Sequence, residues 1–320
     1  MIRLGLVGCG EHSESGHAVP LARYKAAHPN EIVLAAACDS RVERARKFCN
    51  EYGFVAPHPD VDTMLQREKL DGCITVVPPE NISELGIKLL AKNIPCVVEK
   101  PLGASIADVR TLRDAAAATQ TLNMVSVNRR FMPSLNRAIE WTRTAGPLRY
   151  VHCTLARHAR SEPDFIWATA VHAVDTLRYV AGQVVSFGHQ TLMSPGGSAA
   201  WYTIDLQFEN GISGRIDVLP TAGMVEETYN LFGEDFRASV TCPFGAQRGW
   251  RCFRGGRLMS EEMVSAGTPE DVVNGCYDEA AEFVRAVSRK STPRPSIAEI
   301  APSVELCFAI AKAAKEEVQA

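Results

Sequence analysis

The 320-residue chain is predicted to be an α/β protein: a doubly wound parallel sheet, then an α+β domain with antiparallel strands. Three observations predict it. As far as Val127, short apolar runs alternate with segments of helical period, the pattern of a parallel sheet covered on both faces. Beyond Gly146-Pro147, strand-like stretches follow one another with turn residues between them. The length, at roughly 150 residues per domain, suggests two domains. The boundary is set between residues 124 and 125.

In chain order, the first half is expected to form strands at Arg3–Gly8, Ile32–Cys38, Gly72–Val77, Pro95–Val98 and Met124–Val127. Each is apolar without alternation, as a strand buried on both faces requires. Helices are expected at His17–Ala27, Arg41–Tyr52, Glu80–Lys92 and Ser105–Thr119. Asn81-x-x-Glu84 and Ser105-x-x-Asp108 read as capping boxes for the last two. The second half supplies strands at Leu148–Arg157, Val184–Met193, Ala199–Phe208, Ile212–Leu219, Glu227–Phe232 and Phe236–Thr241. Glu209-Asn210-Gly211 between two alternating runs is a hairpin signal. One helix interrupts the series, from Pro163 to Val180. Two more, Glu270–Lys290 and Ile297–Val318, close the chain and are candidates to pack back on the first domain.

Charge and composition narrow the function classes. Lys plus Arg total 34 and Asp plus Glu total 37, a balance that advertises neither nucleic acid nor an anionic membrane as partner. The longest apolar stretch, Ile32–Cys38, is far short of the roughly 20 residues that span a bilayer. The N-terminus turns polar at Glu11, too early for a signal-peptide core. None of the 10 cysteines forms Cys-x-x-Cys and no histidine cluster accompanies them, so no metal site is expected. They read as small buried hydrophobes of a reducing compartment. The expectation is a soluble, cytoplasmic protein.

The first strand runs into Gly8-Cys9-Gly10 and a polar loop that opens a helix. Glycines there let the backbone turn sharply and approach a pyrophosphate, which the amides of the next helix can bind. The third glycine of G-x-G-x-x-G is absent, its position being Ser13, and Gly16 is the candidate for the helix-packing role. The second strand ends at Asp39, where an acid accepts hydrogen bonds from ribose hydroxyls. A carboxylate repels a 2′-phosphate, so NAD is favoured, with NADP open because Arg41 lies two residues on. Strand, loop, helix, strand and acid together predict dinucleotide binding.

Three stretches resemble the glucose–fructose oxidoreductase and inositol dehydrogenase family, Gfo/Idh/MocA. They are Gly8-Cys9-Gly10 through Gly16-His17, Val77-Pro78-Pro79 running to Glu99-Lys100-Pro101, and Ala170-Val171-His172-Ala173-Val174-Asp175. Asn128-Arg129-Arg130-Phe131 and Tyr277 to Phe283 extend the likeness over essentially the whole chain. The resemblance implies an NAD(P)-binding Rossmann domain and an α+β domain with an open, largely antiparallel sheet for substrate binding. It also implies a homodimer or homotetramer formed through that sheet, and hydride transfer between NAD(P) and a sugar, polyol or related hydroxy or carbonyl compound. With the loop and acid read above, the residues expected at the cofactor are Gly8, Gly10, Glu11, His12, Asp39, Ser40, Arg41, Val77, Pro78, Glu99, Lys100 and Asn128.

Lys100 follows a strand end, where a doubly wound sheet binds ligands, and an ammonium there can stabilise charge on the reacting oxygen. The resemblance implies a cis Lys-Pro bond. It also puts His172 at the nicotinamide, where an imidazole suits proton shuttling. Asp175, one turn later, is the candidate to orient that ring. Each has a plain alternative: a solvated strand-end lysine, or a packed helix histidine held by Asp175. Arg129, Arg157, His158 and Trp167 are candidate substrate contacts. For Arg129 the alternative is a salt bridge between domains.

Two positions depart from the family pattern. Ala168 stands where active members often carry an aspartate, and Ile82 replaces a familiar histidine. Asp164 is left either to reach inward or to cap its helix. The leading expectation is an NAD(P)-dependent dehydrogenase acting on CH–OH groups. A dinucleotide-binding sensor without turnover, and a redox-assisted lyase or hydrolase, remain alternatives.

Overall fold

A computed structural model describes residues 1–193 and 200–319, with side chains to residue 317. Ala199, expected to begin a strand, lies outside the described residues. The chain divides into two compact units, Met1–Asn128 with Cys276–Pro302, and Arg129–Gly275 with Ser303–Ala320.

The first unit is built on six strands: β1 (Ile2–Val7), β2 (Ile32–Cys38), β3 (Ala56–His58), β4 (Gly72–Thr75), β5 (Cys96–Glu99) and β6 (Asn123–Ser126). They lie in the order β3-β2-β1-β4-β5-β6, and all of their pairings are parallel. Because β1 is central and the order reverses beside it, the carboxyl ends of β1 and β4 open a crevice. Leu4, Leu6, Leu34, Ile74 and Val98 are buried along these strands, as continuous apolar runs demand.

Helices follow each strand, and their starts obey local chemistry. Ser105 caps Ile106–Thr119 by accepting the Asp108 amide, as the capping box predicts. Asn81 does not cap its helix: Pro79–Ala91 starts earlier, with Pro78 at the cap and Pro79 in the first turn, where a missing amide hydrogen costs nothing. The stretch expected as one helix from His17 starts at Glu11 and passes through a π-helical turn, Glu14–Ala18, before Val19–Ala27. The Cys276–Arg289 helix belongs to this unit: Glu279 accepts the Ser126 hydroxyl, and a Cβ on Gly72 would stand 3.0 Å from the Phe283 ring.

Among its described residues the second unit carries eight strands: β7 (Leu148–Ala156), β8 (Val184–Met193), β9 (Ala200–Phe208), β10 (Ser213–Leu219), β11 (Glu226–Gly233), β12 (Phe236–Thr241), β13 (Gly249–Arg254) and β14 (Arg257–Met263). Their order is β14-β13-β12-β11-β7-β10-β9-β8, antiparallel except for the β7–β10 pair. The hairpin expected at Glu209-Asn210-Gly211 joins β9 to β10, with Gly211 at φ 81°. Val151, Cys153 and Leu155 face the buried side, together with the Pro133–Ala145 and Val171–Ala181 helices. Their alternates Tyr150, His152 and Thr154 lie half-buried on the opposite face. The helix expected from Pro163 to Val180 is two: Phe165–Ala168 and Val171–Ala181. Asp164 stands at the cap of the first, but its side chain makes no capping bond.

Candidate active site

Val7 hands the chain to Gly8, whose φ of 89° suits glycine and whose Cβ, if present, would strike the Val76 carbonyl oxygen. The close approach of β1 and β4 therefore sets the loop. At Gly10 a Cβ would meet nothing within 4 Å, leaving the backbone open to a ligand. Asp39 holds the loop from beneath: one carboxylate oxygen accepts the Cys9 amide at 2.9 Å and the other the Arg41 amide at 2.9 Å. Each oxygen keeps a further lone pair for a ligand hydroxyl.

Of the residues expected at the cofactor, Gly8, Gly10, Glu11 and His12 from the loop, Asp39, Ser40 and Arg41 after β2, and Val77 and Pro78 after β4 line one cleft of about 740 Å³. Sequence reasoning missed Arg44, Asp60 and Asn81, which share its walls. Glu99, Lys100 and Asn128 are not wall residues of this cleft. Glu99 sits behind it, 4% exposed, and His12 connects the two.

The Glu99 carboxylate is a junction. One oxygen takes Nε2 of His12 at 3.1 Å and Nε2 of His17 at 3.1 Å, and the other accepts the Lys100 amide at 3.0 Å. Burial would raise this carboxyl, but His12, His17 and the neighbouring Lys100 outweigh it and hold Glu99 well below the ordinary value of 4.5. His17 reaches the junction from the π-helical turn, a feature often found at functional sites. Lys100 begins the turn after β5, and its bond to Pro101 is cis.

In the second unit, Arg129 and Arg157 both bind Glu227. Arg129 donates Nε at 3.0 Å and Nη2 at 2.7 Å, Arg157 donates Nη2 to the same carboxylate, and Tyr229 donates its hydroxyl at 2.9 Å. The salt bridge of Arg129 thus lies inside this unit. Burial would raise Glu227, yet the two guanidiniums bring it down to about 2. Asp175 is engaged by Arg130, through Nε and Nη2 at 2.8 Å each, and by the Ser303 hydroxyl at 2.7 Å. His172 lies buried one turn earlier on the same helix. Trp167 stacks on Phe308 with ring centroids 5.2 Å apart, and His158 is exposed.

Residues 2–128 match the family profile described as "Oxidoreductase family, NAD-binding Rossmann fold" of the Gfo/Idh/MocA group. Residues 2–128 thus carry the NAD-binding Rossmann domain of the Gfo/Idh/MocA family. The chain is 22% identical to a myo-inositol 2-dehydrogenase of Thermotoga maritima over 68% of each chain. The crystal structure of a Gfo/Idh/MocA family oxidoreductase from Vibrio cholerae matches its fold with a TM-score of 0.85, at 19% identity, over all of both chains. The WlbA dehydrogenase from Bordetella pertussis, solved with NADH and UDP-GlcNAcA, matches with a TM-score of 0.77, at 19% identity, over 99% of this chain and 97% of that one.

The cleft residues fit the dinucleotide of this family. A glycine turn that a Cβ would block, an open backbone at Gly10, a helical start at Glu11 and a fixed Asp39 are the features that a diphosphate and an adenosine ribose would require.

Proposed function

We propose that the chain is a Gfo/Idh/MocA protein, an NAD-dependent dehydrogenase of a sugar, polyol or related small hydroxy compound. The observation that carries it is Lys100 directly after the Glu99 junction, at the carboxyl edge of a parallel sheet whose cleft holds Asp39. Bound NAD supplies the hydride acceptor. Lys100 binds the reacting oxygen and stabilises its developing charge, and His172 carries the hydroxyl proton. Asp175, locked to Arg130 and Ser303, fixes the helix that bears His172. Arg129 and Arg157, committed to Glu227, shape the substrate region from behind, leaving His158 and Trp167 as the direct contacts. Asp39 selects NAD over NADP, with Arg41 and Arg44 as the residues that would admit a 2′-phosphate. The open sheet face with Tyr150, His152 and Thr154 is the surface for homo-oligomerisation, readable by light scattering.

The test is turnover. Purified protein with NAD and a panel of sugars and polyols should reduce the cofactor, followed by its absorbance. Lys100→Ala should lower kcat/KM by about 100-fold or more, the scale of one lost oxyanion donor. Tight NADH binding without reduction of NAD on any substrate would replace this reading with a sensor. Redox-neutral products would replace it with a lyase or hydrolase.

A further inference from the structure

We propose that His17 is the positioning residue of Lys100 and acts through the Glu99 carboxylate. The inference rests on the reading of Lys100 as the group that binds the reacting oxygen. Glu99 bends back on the end of its own strand, where one carboxylate oxygen accepts the amide of Lys100 at 3.0 Å. That bond orients the peptide from which the lysine side chain leaves, and it holds while the other oxygen is held. Two imidazoles hold it, each through Nε2 at 3.1 Å. An ionised carboxylate only accepts hydrogen bonds, so both rings donate from Nε2.

The two histidines differ in what fixes them. The His12 side chain is 61% exposed, and ordering it costs rotamer freedom. The His17 ring is buried, walled by Leu21, Ile74, Val97 and Phe283 beside a small cavity that it shares with Glu279. Close packing has already settled its orientation before it meets Glu99. The backbone is shaped to bring it there. In an α-helix opening at Glu11, Gly16 would follow His12 on one face and His17 would point about 140° away from it. Instead the Val19 amide donates to the Glu14 carbonyl, five residues back, and this wider π turn takes up one extra residue. His17 thereby comes round to the side of His12, and both reach the same oxygen. His17 lies outside the wall of the dinucleotide cleft, so its effect on the reaction runs through Glu99.

Hydrogen exchange of the full chain, read at single amides, tests the first link. In His17→Leu the Lys100 amide should exchange about 10-fold faster or more, the scale of one lost hydrogen bond to a charged group. The Cys96, Val97 and Val98 amides of β5 should keep their wild-type protection, which also reports that the variant is folded. His17→Gln, which carries a donor at the reach of Nε2, should restore the Lys100 amide. Turnover with NAD and the sugar or polyol of the panel that reacts fastest tests the second link. His17→Leu should lower kcat about 10-fold with KM for NAD within about 2-fold of wild type, and His17→Gln should recover most of the loss. Wild-type exchange at Lys100 in His17→Leu, faster exchange spread equally over β5, or a His17→Gln protein that behaves as His17→Leu would overturn the assignment. So would an unchanged kcat in His17→Leu. A wild type that reduces no NAD on any member of the panel would overturn the dehydrogenase reading instead, and the exchange of the Lys100 amide would still decide what His17 holds.

Discussion

Glu227 has no exposed surface and still carries its charge, because Arg129 and Arg157 converge on it and Tyr229 completes its hydrogen bonds. Its carboxyl titrates at about 2 in the folded protein against 4.5 ordinarily, a difference of about 3 kcal/mol in favour of the folded state. A depressed value means that this contribution is complete above the unfolded value and fades as pH falls from 4.5 towards 2. Glu227→Gln leaves two guanidiniums buried against a neutral group, so it should lose roughly 3–5 kcal/mol at pH 7. Urea unfolding at pH 7 and pH 3 checks both points: the gap between wild type and variant should narrow in acid. None of this was legible in the sequence, since Arg129 and Glu227 are 98 positions apart. The same holds for Glu99, which finds His12 and His17 across 87 and 82 positions. Asp39 was legible, because its place at the end of the second strand is local.

Strands buried on both faces announced themselves. Ile32–Cys38 is all apolar but for its thiol and was read to the residue. The missed strands had weaker patterns. Ala56–His58 is three residues with a proline at the sheet edge, Gly249–Arg254 has arginines breaking its short apolar run, and Arg257–Met263 is charged and mostly exposed at the other sheet's edge. The Pro133–Ala145 helix was not expected, although Leu135, Ala138, Ile139 and Thr142 stand at helical spacing and are buried along it, with Arg137 and Arg143 exposed on the other side. The first loop behaves as one element with the strands that flank it. Gly8→Ala would force a side chain against Val76 in a conformation with φ 89°. It should weaken NADH binding at least 10-fold, by fluorescence titration, since β1 and β4 must part to admit the methyl group. Ser105→Ala removes only a cap and should cost about 1 kcal/mol in thermal unfolding, with NADH affinity unchanged.

At the scale of the molecule, the dinucleotide unit is discontinuous in sequence. Residues 1–128 alone lack the Cys276–Arg289 helix, and with it the Glu279 bond to Ser126 and the Phe283 ring against Gly72. That fragment should fail to unfold cooperatively by circular dichroism, whereas joining residues 276–302 to it by a flexible linker should restore a sharp transition. The ten thiols add a last consequence. All are free, nine are buried, and only Cys49 is partly accessible. Desolvation raises Cys38, Cys73, Cys96 and Cys307 above their ordinary value, so the folded chain offers alkylating reagents almost no thiolate. Cys73 and Cys96 belong to one unit, Cys153 and Cys252 to the other. Each half of the chain therefore carries its own built-in clock, and the order in which cysteines become reactive under mild denaturation reads out which half opens first.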